Sequence, residues 1–428
     1  MASPFPPDTD FADLWARLRA LVDVAGRWAR RLPVDLAAAE RCRHEAIVQV
    51  LRRQAETVAV YRALAAGTPA QTVEEIAAGF MLAGEVFKSY DPRWLAEANY
   101  EALTGWLAGL FHRPPEIDAE GVDGVDAWRR RLRDDRIFLS WSSGTSGRLS
   151  FVPRDPVAQH ALRTNGAASF HRRLPPGASG IGDLACLVLG PRGSGMGFQG
   201  AATGLARSAA RAHFLYDHEL GASRPGPGRP RPAADLDRAY AAAVAFLRAA
   251  AADRVPALLF GPPFEVARAC AWVVAAEGRV VLPSGSLVVT GGGWKAEMPV
   301  APEALQDAIG RAFGVGPEGV IDVYSTAESN AVLLTCREGR YHVPPLVEAV
   351  VLDDLLLPVG GDEAAGMLGL LDPFAVSYPG FLMTGDVVRL THRPCRCGLG
   401  GPSVLGRIER APAAEPKGCA GALAVALR

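Results

Sequence analysis

The stretch from Ser142 to Arg148 has the composition of a loop that binds phosphate. It contains hydroxyl side chains, glycines and one cation, and it has no apolar side chain to bury. Hydroxyls, exposed backbone N–H groups and a cation are the groups that bind a phosphate chain. The stretch is not a Walker A loop, because Arg148 and Leu149 follow Gly147 where that motif has Lys and then Ser or Thr. The alternative is a mobile Ser/Gly linker, but the apolar runs on both sides favour a loop held between two strands.

Four further segments contain residue types that suit nucleotide binding. They are Gly291–Lys295, Tyr324–Glu328, Thr384–Asp386 and Gly406–Arg407. A carboxylate such as Glu328 can hold Mg²⁺, and Asp386 offers two acceptor oxygens for two ribose hydroxyls. The alternatives are a core aromatic at Tyr324, an acid at a helix start for Glu328, and a turn residue at Asp386. Lys295 could reach a phosphate or the carboxylate of a substrate, or it could be a surface lysine.

Cysteine and histidine residues in the second half of the chain have the chemistry of a metal site. Cys395 and Cys397 form a C-x-C pair, and His342 follows Cys336 by six residues. Three thiolates and one imidazole make a tetrahedral set for structural zinc, and the alternative is buried or semi-exposed free thiols. Cys419 lies apart in a glycine-rich segment, two residues after Lys417. A thiol near a cation is partly thiolate and therefore nucleophilic, and the alternative is an incidental small residue.

Length and composition limit the class of protein. The chain has 428 residues, is 49% apolar and has a net charge of −1. It can therefore bury a sizeable core, and nothing indicates nucleic acid or an anionic membrane as a partner. Seven widely spaced cysteines indicate a reducing compartment rather than a disulfide framework. The first ten residues are not a signal peptide, and no apolar run has the length of a membrane span. We therefore expect a soluble, cytoplasmic protein.

The elements that must position these residues change type along the chain. Helical spacing over 36–66 and 90–111 predicts a helical first hundred residues. Strands and helices then alternate, with predicted strands at 184–189, 209–216, 257–260, 287–290 and 320–324 and predicted helices at 235–252, 264–276 and 302–313. Asp235 is the predicted N-cap of its helix. This order predicts an α/β fold with a largely parallel sheet covered by helices, whose ligands lie beyond the carboxyl ends of the strands. After Gly361 the pattern becomes β-rich.

The order and spacing of the segments resemble the adenylate-forming superfamily, which includes acyl-CoA synthetases and the adenylation domains of peptide synthetases. Further details are similar to the LuxE acyl-protein synthetase family, with phenylacetate-CoA ligase-like enzymes as the next relatives. These details are Gly291-Gly292-Gly293-Trp294-Lys295, Tyr378-Pro379, Cys395-Arg396-Cys397-Gly398 and Lys417-Gly418-Cys419-Ala420. The resemblance covers roughly residues 85 to 420. It implies the core of an adenylate-forming enzyme, with helix-covered sheets and a small β-rich subdomain.

The resemblance also implies roles for individual residues. Tyr324 would lie against adenine, Glu328 would hold Mg²⁺, Asp386 would bind the ribose and Arg407 would close the ribose side. Further nucleotide-binding positions are Ser142, Ser143, Gly144, Thr145, Ser146, Gly147, Gly291, Gly292, Gly293, Ser325 and Thr326. The expected catalytic residues are Arg148, Lys295, Glu328 and Cys419, where Cys419 takes the acyl group from AMP. The resemblance to phenylacetate-CoA ligase-like proteins supports Zn²⁺ on Cys336, His342, Cys395 and Cys397.

The implied activity is ATP- and Mg²⁺-dependent activation of a carboxylic acid as an acyl-adenylate, with release of pyrophosphate. The acyl group would then pass to a protein thiol, a carrier or another nucleophile. Alternatives are direct amide or N–N bond formation with an amine, a CoA ligase, or a non-catalytic nucleotide-binding relative. Ser150 departs from the family, because many relatives have a second Lys there. The segment after Arg407 is too short for the usual lid domain, as in LuxE-like proteins. We expect a helical region at 1–115, a core at 116–410 and a tail with Cys419 at 411–428.

Overall fold

A computed structural model describes residues 4–5, 11–65, 70–142, 148–175, 177–194, 197–220, 233–291 and 301–411. The chain divides into two compact units. The first comprises residues 1–169, 325–333 and 340–428, and the second comprises residues 170–324 and 334–339. Both helices and strands are abundant, so the predicted mixed α/β class is confirmed.

The helices and strands of the described residues are as follows. The helices are α1 (Ala12–Ala29), α2 (Leu36–Thr57), α3 (Ala59–Leu64), α4 (Val73–Gly79), α5 (Pro92–Ala96), α6 (Tyr100–Leu110), α7 (Val125–Asp134), α8 (Pro156–His171), α9 (Gly197–Ser208), α10 (Ala233–Ala252), α11 (Pro263–Glu277) and α12 (Pro302–Phe313). Short 3₁₀ helices are Gly84–Lys88, Ile181–Asp183 and Pro317–Gly319. The strands are β1 (Leu82–Ala83), β2 (Phe138–Ser142), β3 (Ser150–Arg154), β4 (Ala185–Ser194), β5 (Arg211–Leu220), β6 (Ala257–Gly261), β7 (Leu287–Gly291), β8 (Val320–Tyr324), β9 (Leu333–Thr335), β10 (Tyr341–His342), β11 (Glu348–Leu352), β12 (Pro358–Val359), β13 (Glu363–Leu371), β14 (Phe381–Thr391) and β15 (Ser403–Arg410).

The second unit is built on parallel strands in the order β8-β7-β6-β4-β5. Every residue of β6 and β7 is buried, which is typical of parallel strands whose two faces are covered by helices. The alternation of strands with α10, α11 and α12 confirms the parallel sheet that the sequence predicts. Because parallel strands end at one edge of a sheet, β7 and β8 bring Gly291 and Tyr324 to the same carboxyl edge.

Helix α12 shows how local sequence determines these elements. It begins at Pro302, whose fixed φ and missing N–H suit the first turn of a helix. It ends before Gly314, which adopts a left-handed φ of 70° that few other residues tolerate. Leu305, Ile309 and Phe313 recur every fourth residue and are buried, so one face of α12 packs on the core.

The first unit contains an antiparallel sheet in the order β12-β11-β13-β14-β15-β10. The short strand β1 pairs in parallel with β14, and β2 and β3 form a separate hairpin. Helices α1 and α2 are bonded to loops of the sheet. Trp28 Nε1 donates to the carbonyl of Gly400 at 3.1 Å, and Gln54 Nε2 donates to the carbonyl of Tyr378 at 2.6 Å. This sheet confirms the β-rich pattern expected after Gly361.

Two predicted helices differ from the structure in detail. The helical pattern over 36–66 forms two helices, α2 and α3, because Val58 between them has an extended backbone (φ −108°, ψ 120°). The N-cap expected at Asp235 is wrong, since α10 already begins at Ala233. Asp235 lies in the first turn, where its negative charge interacts favourably with the positive end of the helix dipole, and it pairs with Arg238. Alanine favours the helical state, which accounts for the two extra residues.

No helix among the described residues combines the length and the apolar character that crossing a bilayer requires.

Candidate functional site

The Ser/Gly loop is closed by an antiparallel hairpin. Strand β2 ends at Ser142, which pairs directly with Ser150, the first residue of β3. Arg148 and Leu149 lie between the loop and β3. The prediction that strands flank the loop on both sides is therefore confirmed. Ser143, Gly144, Thr145, Ser146 and Gly147 lie outside the described residues.

Glu328 is bonded to the base of the same hairpin. The Ser150 hydroxyl donates to Glu328 Oε1 at 2.8 Å, and Ser150 is fully buried whereas Glu328 is half-buried. Gly84 lies behind the glutamate, since a Cβ atom there would be 3.9 Å from Glu328 Cγ. Residues 325–332 form no helix, so Glu328 is not the helix-start acid of the alternative interpretation. The hairpin that carries the predicted phosphate loop thus also holds the predicted Mg²⁺ ligand.

The backbone on both sides of Glu328 is bonded to Arg154, the last residue of β3. Its Nη2 donates to the carbonyl oxygens of Ala327 at 2.6 Å and Ser329 at 3.2 Å. Its Nε donates to Asn330 Oδ1 at 2.8 Å. Arg154 is only 1% exposed, so its guanidinium works where bonds to carbonyls are not weakened by water.

Asp372 continues this buried network. Its carboxylate accepts from the backbone N–H of Asn330 at 2.8 Å and of Phe374 at 2.9 Å. Burial raises the pKa of Asp372, because it penalises the charged form. Sequence reasoning missed Arg154, Asn330 and Asp372, and no local pattern marks them, since their partners are distant in the chain.

Arg148 is held against Tyr90. Its Nη2 donates to the carbonyl of Tyr90, and its guanidinium carbon lies 5.4 Å from the centre of the Tyr90 ring, within cation–π range. The Tyr90 hydroxyl donates to the carbonyl of Leu149 at 2.9 Å, and burial raises the pKa of Tyr90. Tyr90 therefore fixes the chain where it leaves the loop, a role that sequence reasoning missed.

Asp386 lies within strand β14 and not in an isolated turn. Gly385 before it has a φ of 74°, and a Cβ atom there would be 3.2 Å from the guanidinium of Arg410, so any other residue would be strained. Arg410 Nη1 lies 3.1 Å from Asp386 Oδ1, and the N–H of Asp386 donates to Thr384 Oγ1 at 3.2 Å. Arg407 lies exposed on β15. The predicted ribose carboxylate is thus paired with Arg410, which sequence reasoning did not select.

In the second unit, Gly291 and Tyr324 lie at the ends of neighbouring parallel strands, and Gly291 pairs with Val323. This is the edge where ligands bind in open α/β sheets. Tyr324 is half-buried, so it is not a fully buried core aromatic. Gly292, Gly293 and Lys295 lie outside the described residues, as does Cys419.

The two residues that follow β8 in the chain belong to the first unit and are polar. Ser325 is exposed, and Thr326 is half-buried. The hydroxyl of Thr326 accepts from the N–H of Ser329 at 3.2 Å, which closes the turn around Glu328.

Three of the four predicted zinc ligands lie in the first unit, namely His342, Cys395 and Cys397, and Cys336 lies in the second unit. Cys397 Sγ lies 3.3 Å from His342 Nε2, and all four residues are buried. The N–H of Gly398 donates to the carbonyl of Cys395 at 3.0 Å, which closes a tight turn around the C-x-C pair. Three thiolates and one imidazole fit tetrahedral Zn²⁺.

In a comparison with known protein families, residues 229–428 match the family model described as acyl-protein synthetase, LuxE. This part of the chain is therefore similar to the LuxE family. The long-chain-fatty-acid–luciferin-component ligases of Vibrio harveyi and Aliivibrio fischeri are 29% identical over 133 residues and 30% identical over 141 residues. Each match covers 30% of this chain and 35% of the relative. The chain thus spans about a third of the length of the curated relatives that it matches.

One solved structure similar to the chain is an open conformation of 2-hydroxyisobutyryl-CoA ligase in complex with 2-HIB-AMP and CoA. It is 15% identical, with a TM-score of 0.48, and the alignment covers 84% of this chain and 71% of that ligase. The residues that match the LuxE model include α10–α12 and the strands from β6 to β15.

Proposed function

We propose that this protein forms an acyl-adenylate from a carboxylic acid and ATP, releases pyrophosphate, and passes the acyl group to a nucleophile. The observation that carries the proposal is the hairpin contact. Ser142 and Ser150 pair at the base of the Ser/Gly loop, and the Ser150 hydroxyl holds Glu328 at 2.8 Å. The β2–β3 hairpin therefore carries a loop suited to phosphate and also holds a carboxylate suited to Mg²⁺. The match to the LuxE family over residues 229–428 also supports the proposal.

In the first step, a carboxylate oxygen of the acid attacks the α-phosphorus of ATP. An O–P bond forms, the bond from the α-phosphorus to the bridging oxygen breaks, and pyrophosphate leaves with the electron pair. Two anions must approach each other, so the protein must position them and offset their charge. Hydroxyls and N–H groups of the loop, together with Arg148, would bind the phosphates, and Asp386 would bind the ribose. Mg²⁺ on Glu328 would offset phosphate charge when bound.

In the second step, the thiolate of Cys419 attacks the acyl carbonyl, a thioester forms and AMP leaves. This assignment rests on the segment Lys417-Gly418-Cys419-Ala420, which resembles that of LuxE enzymes. Because the names of both curated relatives specify a long-chain fatty acid, we propose such acids as the first substrates to test. The final acceptor would be a protein, a carrier or an amine.

We further infer that Cys336, His342, Cys395 and Cys397 hold a structural Zn²⁺. Four protein ligands leave no open position, so this ion would stabilise the fold and take no part in the chemistry.

ATP–pyrophosphate exchange tests the adenylation step. The purified protein is incubated with ATP, Mg²⁺, labelled pyrophosphate and a panel of fatty and aromatic acids. We expect exchange that requires an acid and that Glu328→Gln lowers about a hundredfold, since one group that stabilises developing charge contributes this much. Glu101→Gln, which removes an exposed charge on α6, is the matched control and leaves exchange unchanged. Absence of exchange with every acid refutes adenylation.

Intact mass spectrometry after incubation with acid and ATP tests the transfer step. We expect an acyl adduct on the wild type that is absent from Cys419→Ser, while pyrophosphate exchange persists in that variant. An adduct that persists in Cys419→Ser places the nucleophile elsewhere. If no adduct forms but an added amine is acylated, the protein transfers directly from the adenylate.

A further inference from the structure

Two side chains on one face of strand β3 bond to the segment that carries Glu328. Ser150 and Arg154 are four residues apart, and alternate residues of a strand point to the same face. Both are essentially inaccessible to solvent, at 0% and 1% exposure. One bonds the Glu328 carboxylate and the other bonds the backbone around it. The strand therefore determines both where Glu328 lies and where its carboxylate points.

Ser150 contributes a neutral donor. Its hydroxyl fixes Glu328 Oε1 at 2.8 Å, which restricts rotation of a side chain that would otherwise sample several rotamers. A cation at this distance would pair with the carboxylate and compete with Mg²⁺ for its charge. A hydroxyl orients the carboxylate and leaves its charge to the metal.

Arg154 contributes the rigid backbone. Its Nη2 donates to the carbonyls of both residues that flank Glu328, Ala327 and Ser329. Its Nε bonds Asn330, whose N–H is in turn held by the buried Asp372 at 2.8 Å. A non-helical segment has no ladder of its own to define its path, and here the guanidinium supplies the missing partners.

We propose that Ser150 and Arg154 are positioning residues for Mg²⁺·ATP, acting through Glu328. The inference rests on the proposed function, in which Glu328 holds Mg²⁺. Neither residue touches the nucleotide in this proposal. Ser150 orients the carboxylate of Glu328, and Arg154 fixes the position of the Glu328 backbone relative to β3.

Direct metal binding tests the proposal without turnover. Mn²⁺ replaces Mg²⁺, and its binding to the protein with ATP is followed by electron paramagnetic resonance. We expect Ser150→Ala to weaken the affinity for Mn²⁺·ATP roughly tenfold, as a hydrogen bond to a charged group is lost. The Mg²⁺ concentration for half-maximal exchange rises by the same factor, while the KM for the acid is unchanged. Ser150→Thr, which keeps the hydroxyl, restores both values.

Ser169→Ala is the matched control. Ser169 is also buried, and its hydroxyl donates to the carbonyl of Val332 at 3.2 Å, after Glu328 in the chain. Ser169→Ala also removes a buried serine hydroxyl, but one that does not bond the Glu328 carboxylate, so its Mn²⁺·ATP affinity is that of the wild type. Arg154→Lys keeps the charge but not the fork of donors, and we expect it to weaken Mn²⁺·ATP binding as Ser150→Ala does. If Ser150→Ala does not fold, Ser150→Cys tests the same bond with a weaker donor of similar shape.

The outcomes separate this inference from the proposed function. If Glu328→Gln weakens Mn²⁺·ATP binding but Ser150→Ala and Arg154→Lys do not, the positioning role is refuted and the function stands. If Glu328→Gln itself leaves binding unchanged, the role of Glu328 is wrong and the positioning inference fails with it.

Discussion

Removing the charge of Glu348 should destabilise the first unit strongly. Glu348 begins β11 and is only 7% exposed. Its Oε2 accepts from Arg43 Nε at 2.7 Å and lies 3.0 Å from His44 Nε2, and both partners belong to α2. The pair joins a helix to a strand across the interior of the unit. Arg43 is itself 6% exposed, so water cannot replace the carboxylate.

The magnitude follows from the burial of Arg43. Glu348→Gln keeps the size of the side chain and creates no cavity, but it leaves a buried guanidinium without a counter-charge. Breaking a buried pair in this way costs about 3–5 kcal/mol. With a typical urea dependence of about 2 kcal/mol per M, the midpoint of unfolding falls by about 2 M.

Urea unfolding at pH 7, followed by tryptophan fluorescence, measures this effect, because six of the eight tryptophans precede residue 170. Glu45→Gln is the control, since Glu45 pairs with Arg17 at 2.9 Å on the surface, and such a pair contributes about 1 kcal/mol or less. The double variant Arg43→Met/Glu348→Leu should recover most of the loss, because an apolar pair needs no counter-charge. A Glu348→Gln protein within 1 kcal/mol of the wild type would refute the reasoning.

Three further predictions concern pH, metal and nucleotide. The hydrogen bond to Glu348 raises the pKa of His44, so the stability gained from its protonation is present below about pH 6.5 and is lost as pH rises through the folded-state value. In urea titrations, the free energy of unfolding of His44→Gln should therefore fall less between pH 6 and pH 9 than that of the wild type. Elemental analysis should find about one zinc per chain, and Cys397→Ser should lose the metal and lower the melting temperature; a wild type that is folded without metal would exclude the site. Asp386→Asn should weaken ATP binding in calorimetry about tenfold or more, as a charged hydrogen-bond acceptor is lost, whereas Arg410→Gln should bind ATP at least as tightly as the wild type, because ribose no longer competes with its guanidinium.

Elements with strong local signals were predictable from sequence. The bounds predicted for the helix at Pro302–Phe313 and for the strand at Val320–Tyr324 are those of the structure, because proline, glycine and apolar spacing mark them. The predicted start of α10 was wrong, since a single Asp235 is a weak cap signal beside two alanines, which favour the helix.

The support around Glu328 was not predictable in the same way. Ser150 and Glu328 are 178 residues apart, and Arg43 and Glu348 are 305 apart. Such contacts depend on how the whole chain packs, and neither partner has a local pattern that reveals the other. The loop from Ser142 to Arg148 was identified by composition, whereas the residues that hold its base were visible only in three dimensions.

The burial of Arg43 against Glu348 has a consequence for synthesis on the ribosome. At about 5–20 residues per second, the strand that holds Glu348 emerges roughly 15 to 60 seconds after α2. During that interval the side chains of Arg43 and Gln54 in α2 have no bonding partners from the sheet and its loops. The second unit, residues 170–324 and 334–339, precedes Glu348 in the chain and therefore emerges within the same interval. We therefore expect a nascent chain in which most of the second unit has emerged while the buried polar groups of α2 still lack their partners, and we expect its yield to depend on the speed of translation.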